Sequence, residues 1–261
     1  MSEFELHFVD REGDVPLLLI HGFPFDSRTW EAQAEGLTPQ ARLLAPDLPG
    51  FGDSPASTTP PSMKSYAEDC VALLDALDLM EPVVVGGLSM GGYAALAFAR
   101  EFPERVAGLV LASTRAGADS AEGRAGRDQA MAAVEAQGVA ALVEDLHPKL
   151  MAAATYQDQP EVAARLKEIM LGASPEGVIG ALQAMRDRPD SEELLANLDV
   201  PALVVHGEED GLIPTAEAET MAAALPRAEL ARVAGAGHLP NMEQAAVFNE
   251  VLGRFLAQNW A

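Results

Sequence analysis

Residues 82–92 read Pro-Val-Val-Val-Gly-Gly-Leu-Ser-Met-Gly-Gly, and they are the most informative segment of the chain about its fold. The apolar residues 82–85 predict a buried strand, and residues 93–102 predict a helix. Ser89 stands at the tight turn between them, where the neighbouring glycines avoid clashes that side chains would make. A serine there projects its hydroxyl from the sheet edge, beside helix N–H groups that favour a developing negative charge. We therefore interpret Ser89 as a nucleophile; the alternative is a packing turn in which Ser89 caps the helix.

Short apolar runs alternate with segments of helical period on both sides of this turn. Strict alternation of strand and helix requires crossover connections, which indicate a mostly parallel sheet with helices on both faces. An alternating segment at 4–9 predicts an antiparallel strand before the first parallel one. The other predicted strands are 15–20, 42–45, 82–85, 106–112, 202–205 and 228–233. Helices outside the one interruption are predicted at 65–77, 93–102, 215–225 and 244–256.

One interruption separates strand 106–112 from strand 202–205. Residues 115–189 are rich in Ala, Met and Glu and contain no convincing strand. They predict helices at 128–137, 139–147, 161–170 and 175–185. Because the segment follows the carboxyl end of a strand, it lies on the side where open α/β sheets bind ligands. The chain is therefore predicted to have an α/β core, residues 1–114 and 190–261, and an inserted helical cap, residues 115–189.

A serine hydroxyl is a weak nucleophile at neutral pH, so it needs a base and a carboxylate that orients the base. His238 lies in the loop Gly-Ala-Gly-His-Leu-Pro, between the last predicted strand and the last predicted helix. This setting leaves His238 free to reach the sheet edge, so it is our candidate base. His21 and His206 are interpreted as hydrogen-bonded structural histidines.

Three acidic residues follow the strand at 202–205. Asp210 is preferred as the orienting acid because it adjoins a glycine in the turn, whereas Glu208 and Glu209 are interpreted as solvated side chains. The candidate nucleophile, acid and base then follow one another along the chain in the order serine, aspartate, histidine.

The chain resembles the α/β-hydrolases of the serine-esterase and lactonase type over essentially its whole length. Four motifs carry the resemblance. They are His-Gly-Phe-Pro-Phe-Asp at 21–26, Asp-Leu-Pro-Gly-Phe-Gly-Asp-Ser at 47–54, the glycine-rich turn at 87–92, and the loops that hold Asp210 and His238. The order serine, acid, histidine is also that of the family.

The resemblance implies further features. In this family two backbone N–H groups stabilise the oxyanion formed during acyl transfer, and the matching residues are Phe23 and Met90. It also implies about seven strands, because the chain before the first long strand is too short for the two outer strands of many relatives. Asp47 and Asp53 are assigned no catalytic role, and Glu243 is interpreted as a favourable charge at a helix N-terminus.

The composition of the chain limits the kinds of molecule that it can bind. Lys plus Arg number 17 against 40 Asp plus Glu, so the formal charge of −23 repels nucleic acids and anionic membrane surfaces. The single cysteine, Cys70, excludes an intrachain disulfide, and no run of sequence is apolar and long enough to span a bilayer. No metal or dinucleotide motif is present. We therefore expect a cytoplasmic protein that binds a small molecule and needs neither metal nor cofactor; the sequence leaves its oligomeric state open.

These features predict a serine hydrolase that cleaves a small carboxylic ester or lactone through an acyl-enzyme. Residues 87–92 and 102–114 are similar to those of 3-oxoadipate enol-lactonases and small arylesterases. Two alternatives use the same residues: hydrolysis of a carbon–carbon bond in a diketone, and a ligand receptor or regulatory partner with slow turnover. A degenerate scaffold is disfavoured because all three candidate positions are filled in order.

Overall fold

The computed structural model describes residues 6–260 and contains one seven-stranded sheet within that range. The strands are β1 Phe8–Arg11, β2 Val15–Ile20, β3 Ala41–Pro46, β4 Val83–Leu88, β5 Val106–Ala112, β6 Ala202–Gly207 and β7 Ala228–Val233. Their order across the sheet is β1-β3-β2-β4-β5-β6-β7. Strand β1 runs antiparallel to β3, and all other neighbouring pairs are parallel. The predicted fold class, a mostly parallel sheet of about seven strands flanked by helices, is confirmed.

Helices connect the strands and cover the sheet. They are α1 Glu31–Gly36, α2 Met63–Ala76, α3 Met90–Glu101, α4 Ala121–Gln137, α5 Val139–Leu146, α6 Ala153–Asp158, α7 Pro160–Leu171, α8 Pro175–Arg186, α9 Glu192–Leu195, α10 Thr215–Ala224, α11 Pro240–Glu243 and α12 Ala245–Trp260. Single 3₁₀ turns occupy Ser27–Trp30, Pro103–Arg105 and His147–Lys149. No helix within residues 6–260 combines the length and apolar character needed to cross a membrane.

The middle of the sheet forms the core. Strands β4 and β6 are buried at every residue, because helices pack against both faces of the sheet. Parallel strands end at the same edge of a sheet, so the loops that follow β2, β4, β5, β6 and β7 all meet at one edge. Four of these five loops carry the candidate site residues.

Among the strands, the largest difference from the prediction is at the first one. The alternating pattern predicts a strand at 4–9, whereas β1 spans Phe8–Arg11, and residues 4 and 5 lie outside the described range. Pairing with β3 sets the position of β1, since Phe8 lies opposite Pro46 and Arg11 opposite Leu43. Alternation alone does not specify that register.

The segment between β5 and β6 contains more helix than the sequence predicts. Helix α4 begins seven residues before the predicted start at 128, because the Ser120 side chain caps it by accepting a hydrogen bond from Gly123 N. The short helices α6 and α9 were not predicted at all, since each has too few residues to show a period. Helices α4 to α8 occupy the segment predicted as a cap, and the division of the chain at 115 and 189 stays a prediction.

Helix α2 shows how one element acquires its position. A capping box begins it, in which Ser62 and Ser65 each accept a hydrogen bond from the other's backbone N–H. Its buried face carries Tyr66 and Cys70 at helical spacing. The half-buried Asp69 lies beside this face, and burial, helped by the charge of Glu68, raises the pKa of its carboxyl to about 6.

We expect Asp69→Asn to stabilise the protein more at pH 8 than at pH 5. Because the folded-state pKa lies above the ordinary value of 3.8, the folded state disfavours the charged carboxylate. The cost is absent below the unfolded pKa, grows as the pH rises and is complete above about pH 6. Partial exposure limits the gain at pH 8 to the order of 1 kcal/mol.

Thermal unfolding at the two pH values measures this difference. The exposed Asp14 provides a matched control, since Asp14→Asn removes the same charge without a burial cost. A gain that is equal at both pH values would contradict the assignment of the elevated pKa to Asp69.

Candidate active site

Ser89 occupies a strained turn between β4 and α3. Its backbone has φ 54° and ψ −112°, a conformation that residues with a side chain rarely adopt. The Ser89 N–H donates to Ala112 O at 2.8 Å, and Thr114 Oγ1 donates to Ser89 O at 2.8 Å. A Cβ added at Gly91 would lie 2.1 Å from Ile20 O, so only glycine permits this approach of α3 to β2. The turn has the geometry predicted from the sequence.

His238 and Asp210 form a buried pair in the loops after β7 and β6. The Nδ1 of His238 lies 2.8 Å from Asp210 Oδ2, and the two side chains are 3% and 0% exposed. The other oxygen, Oδ1, accepts hydrogen bonds from Leu212 N at 2.8 Å and Ile213 N at 3.0 Å. These bonds fix the carboxylate, which in turn orients the imidazole ring.

The negative charge of Asp210 is stabilised in spite of the burial of its side chain. Burial alone raises the pKa of the Asp210 carboxyl, but the nearby His238 and the two backbone N–H donors lower it by more. Asp210 is therefore a carboxylate around neutral pH. The other two acids of the loop, Glu208 and Glu209, are exposed.

A cavity of about 350 Å³ brings the predicted residues together. Ser89, His238 and Phe23 all line it, at the edge of the sheet where the strands end. Within residues 6–260, the backbone N–H groups of Phe23 and Met90 donate no hydrogen bond to another residue. Both are thus available as donors for a negatively charged oxygen. The structure brings Ser89, Asp210, His238 and Phe23 to one site, while their catalytic roles stay predictions.

His21 fixes the loop that carries Phe23. The His21 ring is fully buried, its Nδ1 lies 2.8 Å from Gly22 O, and its Nε2 accepts a hydrogen bond from Leu48 N at 2.9 Å. Burial lowers the pKa of His21, in keeping with a neutral ring that donates from Nδ1 and accepts at Nε2. His21 is therefore a hydrogen-bonded structural residue, and so is His206, whose Nε2 lies 3.1 Å from Ile213 O.

Asp47 holds the second motif in shape. Its carboxylate accepts hydrogen bonds from Ser27 N at 2.7 Å and Asp53 N at 3.1 Å, and it lies 2.7 Å from His7 Nδ1. The Asp47 side chain is 3% exposed. This role agrees with the expectation that neither Asp47 nor Asp53 takes part in the chemistry.

Glu243 has a larger role than the sequence indicates. It ends the short helix α11 rather than beginning α12, and it is buried. Its Oε1 accepts hydrogen bonds from the backbone N–H groups on both sides of His238, Gly237 N at 2.9 Å and Leu239 N at 3.1 Å. Its Oε2 accepts from Ala152 N at 2.7 Å and Thr155 Oγ1 at 2.8 Å. Glu243 therefore positions the histidine loop.

Polar side chains of the cavity also include residues that were not predicted from the sequence. Arg115, Asp119 and Arg127 line it together with Ser89 and His238. Arg115 and Asp119 lie in the loop after β5, and Arg127 lies in α4. The sequence contains a signal for them, because Arg115, Asp119 and Arg127 are charged and follow strand β5, whose carboxyl end faces the site. The first two positions are four residues apart, and the second two are eight residues apart.

Comparison with known proteins establishes the family. Residues 15–245 match the family model described as alpha/beta hydrolase fold. This match covers most of the chain, so the protein belongs to the α/β-hydrolase family, as the four sequence motifs predict.

Solved structures and curated proteins show what the chain is similar to. A thermophilic esterase from Thermogutta terrifontis, solved with malate bound, is 39% identical, with a TM-score of 0.96 over 98% of this chain and 94% of that chain. The enol-lactonase from Burkholderia xenovorans LB400 is 26% identical, with a TM-score of 0.88 over 97% of this chain and 96% of that chain. Relatives within the family thus include esterases and lactonases.

A curated relative is longer than this chain. The dihydrolipoyllysine-residue acetyltransferase component of the acetoin cleaving system of Pseudomonas putida is 32% identical over 257 residues. The alignment covers 95% of this chain and 65% of that protein. The chain therefore spans slightly less than two thirds of the length of this relative.

We expect Glu243→Gln to lower the free energy of unfolding by about 3 kcal/mol. The amide of glutamine turns an N–H group toward backbone N–H donors, so buried donors lose their acceptor at a cost of about 1 to 3 kcal/mol each. Amide hydrogen exchange at Gly237 and Leu239 should become faster for the same reason.

Urea denaturation and amide exchange measure the two effects. Glu209→Gln is the matched control, because Glu209 is an exposed glutamate at the same edge of the sheet. Unchanged exchange at both amides in Glu243→Gln would show that the carboxylate does not hold the loop.

Proposed function

We propose that the protein is a serine hydrolase that cleaves a small carboxylic ester or lactone. The observation that carries the proposal is the arrangement at one cavity, which is lined by a serine on a strained turn and by a histidine paired with a buried carboxylate. The backbone N–H groups of Phe23, which lines the cavity, and of Met90, which follows the serine, have no acceptor within residues 6–260. The family membership supports the proposal, and so does the similarity to an esterase and an enol-lactonase.

In the proposed reaction, Ser89 Oγ attacks the carbonyl carbon while His238 Nε2 takes the hydroxyl proton. The tetrahedral intermediate then collapses, and His238 returns the proton to the departing alkoxide oxygen. In a lactone this oxygen stays attached to the acyl chain. A water molecule then attacks the acyl carbon while His238 Nε2 takes a proton from the water. The bond between this carbon and Ser89 Oγ breaks, His238 returns the proton to Ser89 Oγ, and the carboxylic acid leaves.

The remaining residues act on charge and orientation. Asp210 holds the His238 tautomer that keeps Nε2 free to accept a proton, and it stabilises the imidazolium that forms. The N–H groups of Phe23 and Met90 donate to the carbonyl oxygen as it becomes negative, and each such donor contributes about 3 kcal/mol to lowering the barrier. The side chain of Phe23 also lines the cavity, so it narrows the space for the acyl group.

We expect Ser89→Ala to reduce hydrolysis of 4-nitrophenyl butyrate by at least about 10³-fold, because the nucleophile is lost. Reaction with a fluorophosphonate probe should disappear in the same variant. Release of 4-nitrophenol and labelling of the intact protein measure both effects.

Ser113→Ala is the matched control. Ser113 follows the neighbouring strand β5, also has a positive φ (42°), and buries an Oγ that has no hydrogen-bond partner among residues 6–260. It should keep wild-type activity and labelling. Labelling of the wild type without multiple turnovers would favour a receptor instead, and the absence of both would overturn the proposed nucleophile.

A further inference from the structure

Two arginines lie in the cavity that contains the proposed nucleophile. Arg115 and Arg127 line it, with side chains that are 29% and 25% exposed. They converge on Asp119, whose side chain is 1% exposed. Asp119 accepts from Arg115 Nη2 at 2.6 Å and from Arg127 Nε at 3.1 Å.

A third arginine binds the same carboxylate from the interior. Arg188 Nη1 lies 2.8 Å from Asp119 Oδ1, and the Arg188 side chain is 3% exposed. Its other bonds go to Met185 O and Gly117 O, and its guanidinium lies 4.0 Å from the centre of the Tyr93 ring. Arg188 therefore binds other groups of the protein and fixes Asp119 in place.

The charges of this cluster do not cancel. Three guanidinium groups share one carboxylate, which leaves an excess of positive charge in a chain whose formal charge is −23. The other acid of the cavity, Asp145, pairs with Lys149 Nζ at 2.7 Å and is 75% exposed. Burial opposes ionisation of Asp119, but Arg188 and Arg127 lower its pKa by more, so its single negative charge persists.

Both cavity arginines retain unused donors. Arg115 Nε is buried and has no hydrogen-bond partner among residues 6–260. Burial lowers the pKa of Arg115, but Tyr93 and Asp119 raise it by more, so the group stays charged. The two terminal nitrogens of Arg127 donate no hydrogen bond within the described range. A partly buried guanidinium with free donors is a site for an anion from outside the protein.

We propose that the substrate carries a carboxylate at some distance from the scissile ester or lactone bond, and that Arg115 and Arg127 bind this carboxylate. The proposal rests on the proposed function and names its substrate class. A planar guanidinium matches the two oxygens of a carboxylate, and two guanidinium groups offset the cost of removing it from water. The cavity wall also includes apolar residues, Leu146, Leu182 and Ile213, which suit a short hydrocarbon linker.

Paired substrates test the proposal directly. Mono-4-nitrophenyl adipate and 4-nitrophenyl hexanoate have acyl chains of equal length and differ in a terminal carboxylate. We expect the wild type to have a kcat/KM for the adipate ester at least about tenfold above that for the hexanoate ester. Arg127→Gln and Arg115→Gln should each reduce this ratio by about tenfold, and Arg127→Lys should reduce it less, because it keeps the charge but loses the planar group.

Arg124→Gln provides the matched control. Arg124 is exposed in the same helix, α4, and does not line the cavity, so the ratio and the activity on both esters should equal those of the wild type. Turnover of the hexanoate ester shows that each variant is folded and has a working site.

A measurement of adipate binding tests the carboxylate site independently of the proposed hydrolase activity. Calorimetric titration of the wild type at constant ionic strength should show adipate binding at least about tenfold more tightly than the neutral adipamide or inorganic phosphate. Adipate binding without ester turnover would overturn the proposed hydrolase but leave the carboxylate site intact. Turnover with no preference for the adipate ester, no effect of either arginine variant on the ratio, or tighter binding of phosphate would each overturn the carboxylate site.

Discussion

The left-handed backbone of Ser89 is the constraint on which the rest of the site depends. Such a conformation costs about 1 to 3 kcal/mol for a residue with a side chain, so the surroundings have to hold it. They do so through both neighbouring strands: β5 accepts the Ser89 N–H at Ala112 O, and the close approach of Gly91 to Ile20 O fixes α3 against β2. The register of three parallel strands therefore determines where one hydroxyl lies.

Buried carboxylates perform most of the remaining positioning. Among the acidic residues whose side chains are almost inaccessible to solvent are Asp47, Asp119, Asp210 and Glu243. The other acidic residues are largely on the surface. Each of these four buried carboxylates accepts several hydrogen bonds that tie loops and side chains around the site to one another. A buried charge is tolerated only when it is paired, so these loops have little freedom to rearrange one at a time.

Features that depend on neighbouring residues can be predicted from the sequence, whereas contacts between positions far apart along the chain cannot. The turn at Ser89 is predictable because glycines, an apolar strand and a helix adjoin it along the chain. Asp210 was distinguished from two adjacent glutamates by its turn residue, and the structure pairs it with His238. The role of Glu243 was not predictable, since its partner Ala152 is 91 residues away and donates through a backbone N–H that any residue has. Among the arginines that bind Asp119, Arg188 is likewise distant along the chain, whereas Arg115 and Arg127 are near it and their spacing could have identified them.

The bonds of Glu243 also limit how the protein can be engineered. One carboxylate joins the histidine loop, at Gly237 and Leu239, to the helical segment between β5 and β6, at Ala152 and Thr155. That segment is consequently not an exchangeable module, although it is a continuous insertion between two strands. A chimera that receives this segment from another hydrolase needs a backbone N–H and a hydroxyl at the same two places. Without them, the graft would leave Glu243 buried with half of its donors missing.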